Sequence, residues 1–273
     1  MIKLPLNAGP YVHDANSVQR TMVLVILALI PATAYGIYLF GLPALLLFCT
    51  TIGATLIGEI FCLKASKKPI RPFLFDGSAL LTGWLLAMTL PPWAPWWIGV
   101  MGGLFAIVIG KHVFGGLGQN LFNPAMVART ALLISFPVEM TRFTSPTPLL
   151  SAQSPNITEA FKITFLSSDK IDAVSSASLL GHTKTEISLG EHANALFTNG
   201  FDPLMHFLGN ASGSLGETSS FLILLGGLFL LGMRIISWHI PVSIFAALFV
   251  FSEVFHAIDP TLYSASPVHL LGG

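Results

Sequence analysis

The sequence predicts an all-α, polytopic membrane protein with about seven transmembrane segments. Three observations carry that prediction. Apolar residues make up 53% of the chain and charged ones only 10%, whereas soluble domains run near a quarter charged. The mean hydropathy is +0.75. Apolar runs long enough to cross a hydrocarbon core recur along the chain, separated by breaks rich in Gly, Pro or Lys. The net charge is zero, so no electrostatic partnership with nucleic acid is expected.

The segments follow in order. The first covers about 21–40. Arg20, an apolar run over 22–30 and then Ala32-Thr33-Ala34 have the outline of a signal peptide with a small-residue cleavage site. The apolar character continues through 35–39 and 42–48, which a cleaved leader would not need, so this is an uncleaved first span. The second segment is 42–63, the third 77–91, the fourth 95–114 and the fifth 122–137. The third and fifth are short and end at Pro91-Pro92 and Pro137. Short, proline-interrupted segments predict half-helices or re-entrant pieces sheltered by protein. The sixth and seventh cover 219–236 and 239–258.

Basic residues orient the bundle. Lys64, Lys67, Lys68 and Arg71 crowd the loop after the second segment, Lys111 and His112 follow the fourth, and Arg234 ends the sixth. Lys3 and Arg20 lie on that same side, which the positive-inside rule makes cytoplasmic. The stretch 138–218 then lies outside, with eight acidic residues against four basic ones. It is the one extramembrane segment large enough to hold a site, and loops of this length are functional or disordered. The expected division is a first membrane repeat over 1–137, an extracytoplasmic loop over 138–218, and the start of a second repeat over 219–273.

Candidate residues fall in three groups. Between Lys111 and Ala125 stand Gly115, Gly116 and Gly118 with the amides Gln119, Asn120 and Asn123. No strand precedes these glycines, so they do not make a nucleotide loop. They fit a tight break between helices, with Asn123 capping a helix that starts at Pro124, and they equally fit the lining of a cofactor or ion path. The second group is ionisable: Glu59, Asp76, Arg129, Arg234 and Glu253 lie in or near apolar segments. Charges in the bilayer interior are costly unless they snorkel or face the bundle. Glu59, Arg234 and Glu253 lie close to segment ends, where snorkelling is expected, whereas Asp76 and Arg129 are candidates for an interior role. Cys49 and Cys62 have no ligand-spaced neighbours and are expected to be core filler. The histidines are scattered without paired spacing and support neither a haem nor a metal site. The third group is Asp172-Ala173-Val174-Ser175-Ser176-Ala177-Ser178 in the outer loop, a hydroxyl run that a modifying enzyme could reach.

This run resembles the acceptor motif of flavin transferases, and the stretch 114–125 resembles a signature of the RnfD/NqrB family, as does 80–97 with its Pro91-Pro92 break. The likeness covers nearly the whole chain and favours the RnfD type, because the first span follows almost at once and Gln119 stands where a basic residue is usual in the NqrB type. The resemblance implies an inverted-repeat bundle similar to urea transporters, with the second repeat incomplete at Leu271-Gly272-Gly273. It implies FMN joined through its phosphate to the hydroxyl of Ser178, with Asp172, Ser175, Ser176 and Ala177 completing the acceptor motif. Serine replaces the usual threonine there, and Ala173 and Ser176 stand where glycines are common. A second, noncovalent flavin such as riboflavin is implied too.

The implied function is that of a subunit, not catalytic alone, of an ion-translocating oxidoreductase in the bacterial inner membrane. Electrons would pass between ferredoxin and NAD, coupled to Na+ or H+ movement. Partners would be RnfA, RnfB, RnfC, RnfE and RnfG, a flavin transferase and membrane lipid. Asp76, Gly115, Gly116, Gly118, Asn120 and Asn123 are candidates for an ion or cofactor path. A subunit of a sodium-pumping quinone reductase and a non-redox channel of the urea-transporter class remain as alternatives.

Overall fold

In a computed structural model the chain is described over residues 17–166, 175–176, 207–209, 212–260, 263 and 266. Helix α1 (Val18–Ala65) begins at Ser17, whose Oγ accepts from Arg20 N at 3.2 Å. Its 48 residues would run about 70 Å if straight, far beyond one hydrocarbon core. It is not straight. Gly41 adopts φ 76°, ψ −161°, a conformation open mainly to glycine, and Pro43 follows two residues later. The two halves flank Gly41 as the separate segments 21–40 and 42–63 expected from sequence. Pro43 has no N–H for the Leu39 carbonyl, which instead accepts from Thr147 N at 2.9 Å. The neighbouring carbonyls are met likewise, Tyr38 by Leu149 N at 2.8 Å and Phe40 by Trp93 Nε1 at 2.9 Å.

After the short α2 (Ile70–Leu74), α3 (Ser78–Thr89) and α4 (Trp96–Ile107) pack on the second half of α1. Thr51 and Thr55, fully buried, stand between them. A Cβ at Gly99 would collide with Thr51 Oγ1 and one at Gly83 with Thr55 Oγ1. Small residues thus let the three helices close, the usual device where no hydrophobic effect drives helices together. The threonine hydroxyls bond back to Leu47 O and Ile52 O, both at 2.8 Å. Leu47, Leu86, Ile98, Ala106, Ala128 and Leu132 form the main core, which joins these helices to α5 (Pro124–Ser135).

Between α4 and α5 lies a π-helical segment, Val108–His112. Beyond α5 come α6 (Pro137–Thr141), β1 (Phe143–Thr144), α7 (Ile157–Leu166), β2 (Ser175–Ser176), α8 (Ser220–Gly232) and α9 (His239–Ile258). β1 and β2 pair antiparallel, Phe143 opposite Ser176 and Thr144 opposite Ser175. α8 rests on the first half of α1, with Gly226 against the Ala28 carbonyl. Within α9 only Ser252 is buried.

The molecule has two distinct ends. At the basic end Lys68 Nζ donates to Gly115 O at 3.1 Å and Gly77 packs against Met22. At the other end Leu215 N and Gly216 N donate to Leu90 O and Met88 O, beside the Trp93 and 147–149 contacts. Helices 18–65 and 239–258 are long and apolar enough to cross a membrane, and shorter apolar helices cover 96–112, 124–135 and 220–232. Large apolar side chains such as Ile57, Phe61, Leu228 and Ile240 point outward. This arrangement fits a polytopic all-α membrane protein. Cys62 is buried as expected, but Cys49 is exposed; it lies on the outer face of α1 and fills no core.

Candidate functional site

The polar centre of the bundle sits near the basic end. Glu59, near the C-terminal end of α1, is 1% exposed, and Lys111 in the π segment is 3% exposed. Lys111 Nζ lies 2.9 Å from Glu59 Oε1, and His112 Nε2 lies 3.0 Å from Glu59 Oε2. Successive residues of a regular α-helix point about 100° apart, yet Lys111 and His112 both reach one carboxylate. The π segment, a distortion frequent at functional sites, makes that possible. Gly110 allows it to approach the next helix, because a Cβ there would lie 3.0 Å from Pro124 Cα.

The cluster extends through α3. Lys111 Nζ also donates to Ser78 Oγ at 2.8 Å. Ser78 Oγ in turn donates to Asp76 Oδ1 at 2.6 Å, and Ser78 N donates to the same oxygen at 2.7 Å. Asp76 therefore closes the start of α3 and takes up one end of the network. Glu59 Oε2 and His112 Nε2 face each other without meeting the alignment of a hydrogen bond. A cavity of about 210 Å³ opens on Ser78 and Lys111 and is lined further by Thr82, Asn120, Asn123 and Pro124.

Three sequence expectations are corrected here. Glu59 does not snorkel: its carboxylate is enclosed and paired. Lys111, counted among the charges of the cytoplasmic side, is likewise inside the protein. Arg129 pairs with Glu217 at 3.4 Å, each about two-fifths to one-half exposed, so it lies at the surface of α5 rather than in the interior. The signal for the Glu59 pairing was present in the sequence, since an acid within an apolar segment needs a cationic partner. Lys111 stands 52 positions away, and only the folded contact between α1 and the π segment selects it.

The glycine-amide loop behaves as a turn. Gly115, Gly116 and Gly118 have φ of 112°, 107° and 84°, where a side chain would be strained. Asn120 Nδ2 donates to Phe122 O at 2.9 Å, and Asn123 Oδ1 accepts from Ala125 N at 3.0 Å, capping α5 with Pro124 in its first turn. Asn120 and Asn123 thereby join Ser78 and Lys111 around one cavity, whereas the three glycines shape the turn and do not line it.

At the opposite end a second, wider cleft of about 760 Å³ is lined by Trp93, Thr147, Ser151, Gln153, Asn156 and Glu159, among others. Thr147, 6% exposed, and Ser151 each carry a buried hydroxyl with no hydrogen-bond partner among the described residues. Thr147 lies three residues beyond β1, which pairs with Ser175 and Ser176 of the acceptor run. Asp172, Ala177 and Ser178 lie outside the described residues.

Relatives place these features in a family. The model of the NQR2, RnfD, RnfE family matches residues 6–273. A protein of Halorhodospira halophila, named as a subunit of the ion-translocating oxidoreductase complex, is 50% identical over 268 residues, 98% of this chain and 75% of that protein. Proteins of the same name from Rhodobacter capsulatus and Aliivibrio salmonicida are 49% and 40% identical, covering 97% and 98% of this chain and 74% and 78% of theirs. The family resemblance read from the glycine-amide loop and the stretch 80–97 is borne out along nearly the whole sequence, and the chain belongs to the NQR2, RnfD, RnfE family.

Proposed function

We propose that this chain is a membrane component of a bacterial ion-translocating oxidoreductase complex, carrying electrons between ferredoxin and NAD and coupling their flow to ion movement. It acts only within the assembled complex. The observation that carries this reading is the kinship, at 35–50% identity over nearly the whole chain, with proteins named as subunits of such complexes. In this reading the chain assembles with RnfA, RnfB, RnfC, RnfE and RnfG in the inner membrane. Its N-terminus is cytoplasmic and the acceptor loop periplasmic. Residues 1–137 form a first repeat and 219–273 begin a second, in an inverted arrangement like that of urea transporters.

FMN is held through its phosphate on Ser178, placed there by a flavin transferase that recognises Asp172 and the run from Ser175 to Ala177. The described surroundings fit such a group. The wide cleft near β1 has an aromatic wall in Trp93 and unpartnered hydroxyls on Thr147 and Ser151, suited to the apolar face and polar edge of a flavin. Thr147, Ser151 and Gln153 would hold that edge. Bound FMN supplies one-electron redox chemistry. A second, noncovalent flavin such as riboflavin belongs to the same reading. Asp76, Asn120 and Asn123, with the turn built on Gly115, Gly116 and Gly118, form the ion path at the basic end.

The test is in-gel flavin fluorescence of the denatured chain after co-expression with a flavin transferase. Wild type fluoresces and Ser178→Ala is dark. A dark wild type, beside a control substrate that the same transferase labels, removes covalent FMN from this reading.

A further inference from the structure

Helix α1 ends in a way that its local chemistry does not favour. Lys68 N donates to Leu63 O at 3.0 Å and Lys67 N to Lys64 O at 3.1 Å, the paired bonds of a Schellman motif. That motif places Lys67 in the left-handed region, at φ 54°, where glycine is the usual occupant and a side chain is strained. A lysine held at a glycine position gives up stability and adds a charge. The helix dipole favours a cation in the last turn, which accounts for Lys64, but Lys67 and Arg71 lie beyond it.

These cations stand at the end of an exposed apolar stripe. Lys64, Lys67 and Arg71 are exposed, and none of the three makes an ion pair among the described residues. The carboxylates nearest in sequence are engaged, Glu59 with Lys111 and His112, Asp76 with Ser78. Lys68 is occupied as well, at Gly115 O and 5.9 Å from the centre of the Phe73 ring. Back along α1 from Lys64, Phe61, Ile57 and Gly53 follow at steps of three, four and four residues, on one face of the helix. Phe61 and Ile57 are 69% and 67% exposed. At Gly53 a Cβ would meet nothing within 4 Å, so the stripe ends in an open notch. From Lys64 to Gly53 the helix rises about 16 Å, close to the roughly 15 Å of hydrocarbon in one leaflet.

We infer that this face is a docking site for one phospholipid of net negative charge. Its headgroup phosphate lies among Lys64, Lys67 and Arg71, and an acyl chain runs along Phe61 and Ile57 to the notch at Gly53. Charge and shape select this occupant together. Unbalanced cations at the edge of the hydrocarbon attract an anionic headgroup. An acidic protein surface would satisfy the cations but has no use for an apolar stripe one leaflet deep. A zwitterionic lipid would fit the stripe but leaves the cations unbalanced. The inference needs only that α1 crosses the bilayer, and it stands apart from the electron-transfer reading.

Native mass spectrometry of the delipidated full chain in detergent tests this, with phosphatidylglycerol and phosphatidylcholine of identical acyl chains as probes. Each cation near a headgroup contributes about fivefold in affinity, so the wild type is expected to prefer phosphatidylglycerol by on the order of a hundredfold. Lys64→Gln/Lys67→Gln/Arg71→Gln binds both lipids alike. Lys162→Gln, on α7 at the opposite end, keeps the wild-type preference. Gly53→Phe fills the notch where space is open, leaves the cations in place and weakens phosphatidylglycerol binding. Glycerophosphoglycerol, the same headgroup without acyl chains, does not compete. Equal binding of the two lipids by the wild type, or a preference that persists in the triple variant, overturns the proposal. Loss in the triple variant with full binding in Gly53→Phe also overturns it, and shows that the cations serve a partner without acyl chains.

Discussion

At the scale of single residues, Glu59 separates what the sequence states from what folding adds. The sequence marks it as an acid in an apolar run, and its nearness to the segment end suggests an escape to water. In the fold the turn that would carry it outward is covered by the π segment, so the carboxylate finds Lys111 and His112 instead. Removing one partner of a buried pair leaves the other uncompensated and costs about 3–5 kcal/mol. Glu59→Ala is therefore expected to lower the thermal midpoint of the detergent-solubilised chain strongly. The double variant Glu59→Leu/Lys111→Met should recover most of that loss. A single variant as stable as wild type would show that the pair is not enclosed. The role proposed for Ser178 rests on a motif, which needs no geometry.

Helices and turns were the most legible level. Apolar runs fix helix positions because a chain in hydrocarbon must satisfy its backbone internally, and the gap at Gly41 between the first two segments is where the helix breaks. The cap at Asn123 could also be read directly, since an Asn-Pro pair is a helix start with a mechanism. Its replacement in Asn123→Ala should cost about 1 kcal/mol, read as a shifted midpoint of thermal unfolding in detergent. The π segment was not legible. Its sequence, Val-Ile-Gly-Lys-His, is ordinary, and its extra width answers contacts with α1 and α5 that no local pattern encodes. Nor was the threonine seam, where Gly99 closes on Thr51. Gly99→Val forces those helices apart, with an expected loss of about 1–3 kcal/mol; unchanged helix content and melting would contradict the seam.

Across the whole molecule, the two ends carry opposite assignments that one labelling experiment can check. In intact cells an impermeant maleimide should react with a cysteine placed at Leu150, which is 87% exposed. A cysteine at Lys67 should react only after the membrane is opened. The reverse pattern would invert the proposed orientation. The exposed apolar faces of α8 and α9 follow from composition alone, since a protein bathed in lipid has no reason to hide leucine and phenylalanine. Which of those faces meets lipid and which meets a neighbouring protein is not a property of one chain's hydropathy.

The bend at Gly41 has a consequence in time. The carbonyls of Tyr38, Leu39 and Phe40 find their partners in Leu149, Thr147 and Trp93, residues synthesised well after them. At 5–20 residues per second, the gap between Leu39 and Thr147 corresponds to roughly 5–20 s during which the bend exists without its clasp. Until then those carbonyls lack the partners that hold the bend in the finished fold. The segment 147–149 locks it only when translation has carried the chain past Leu149.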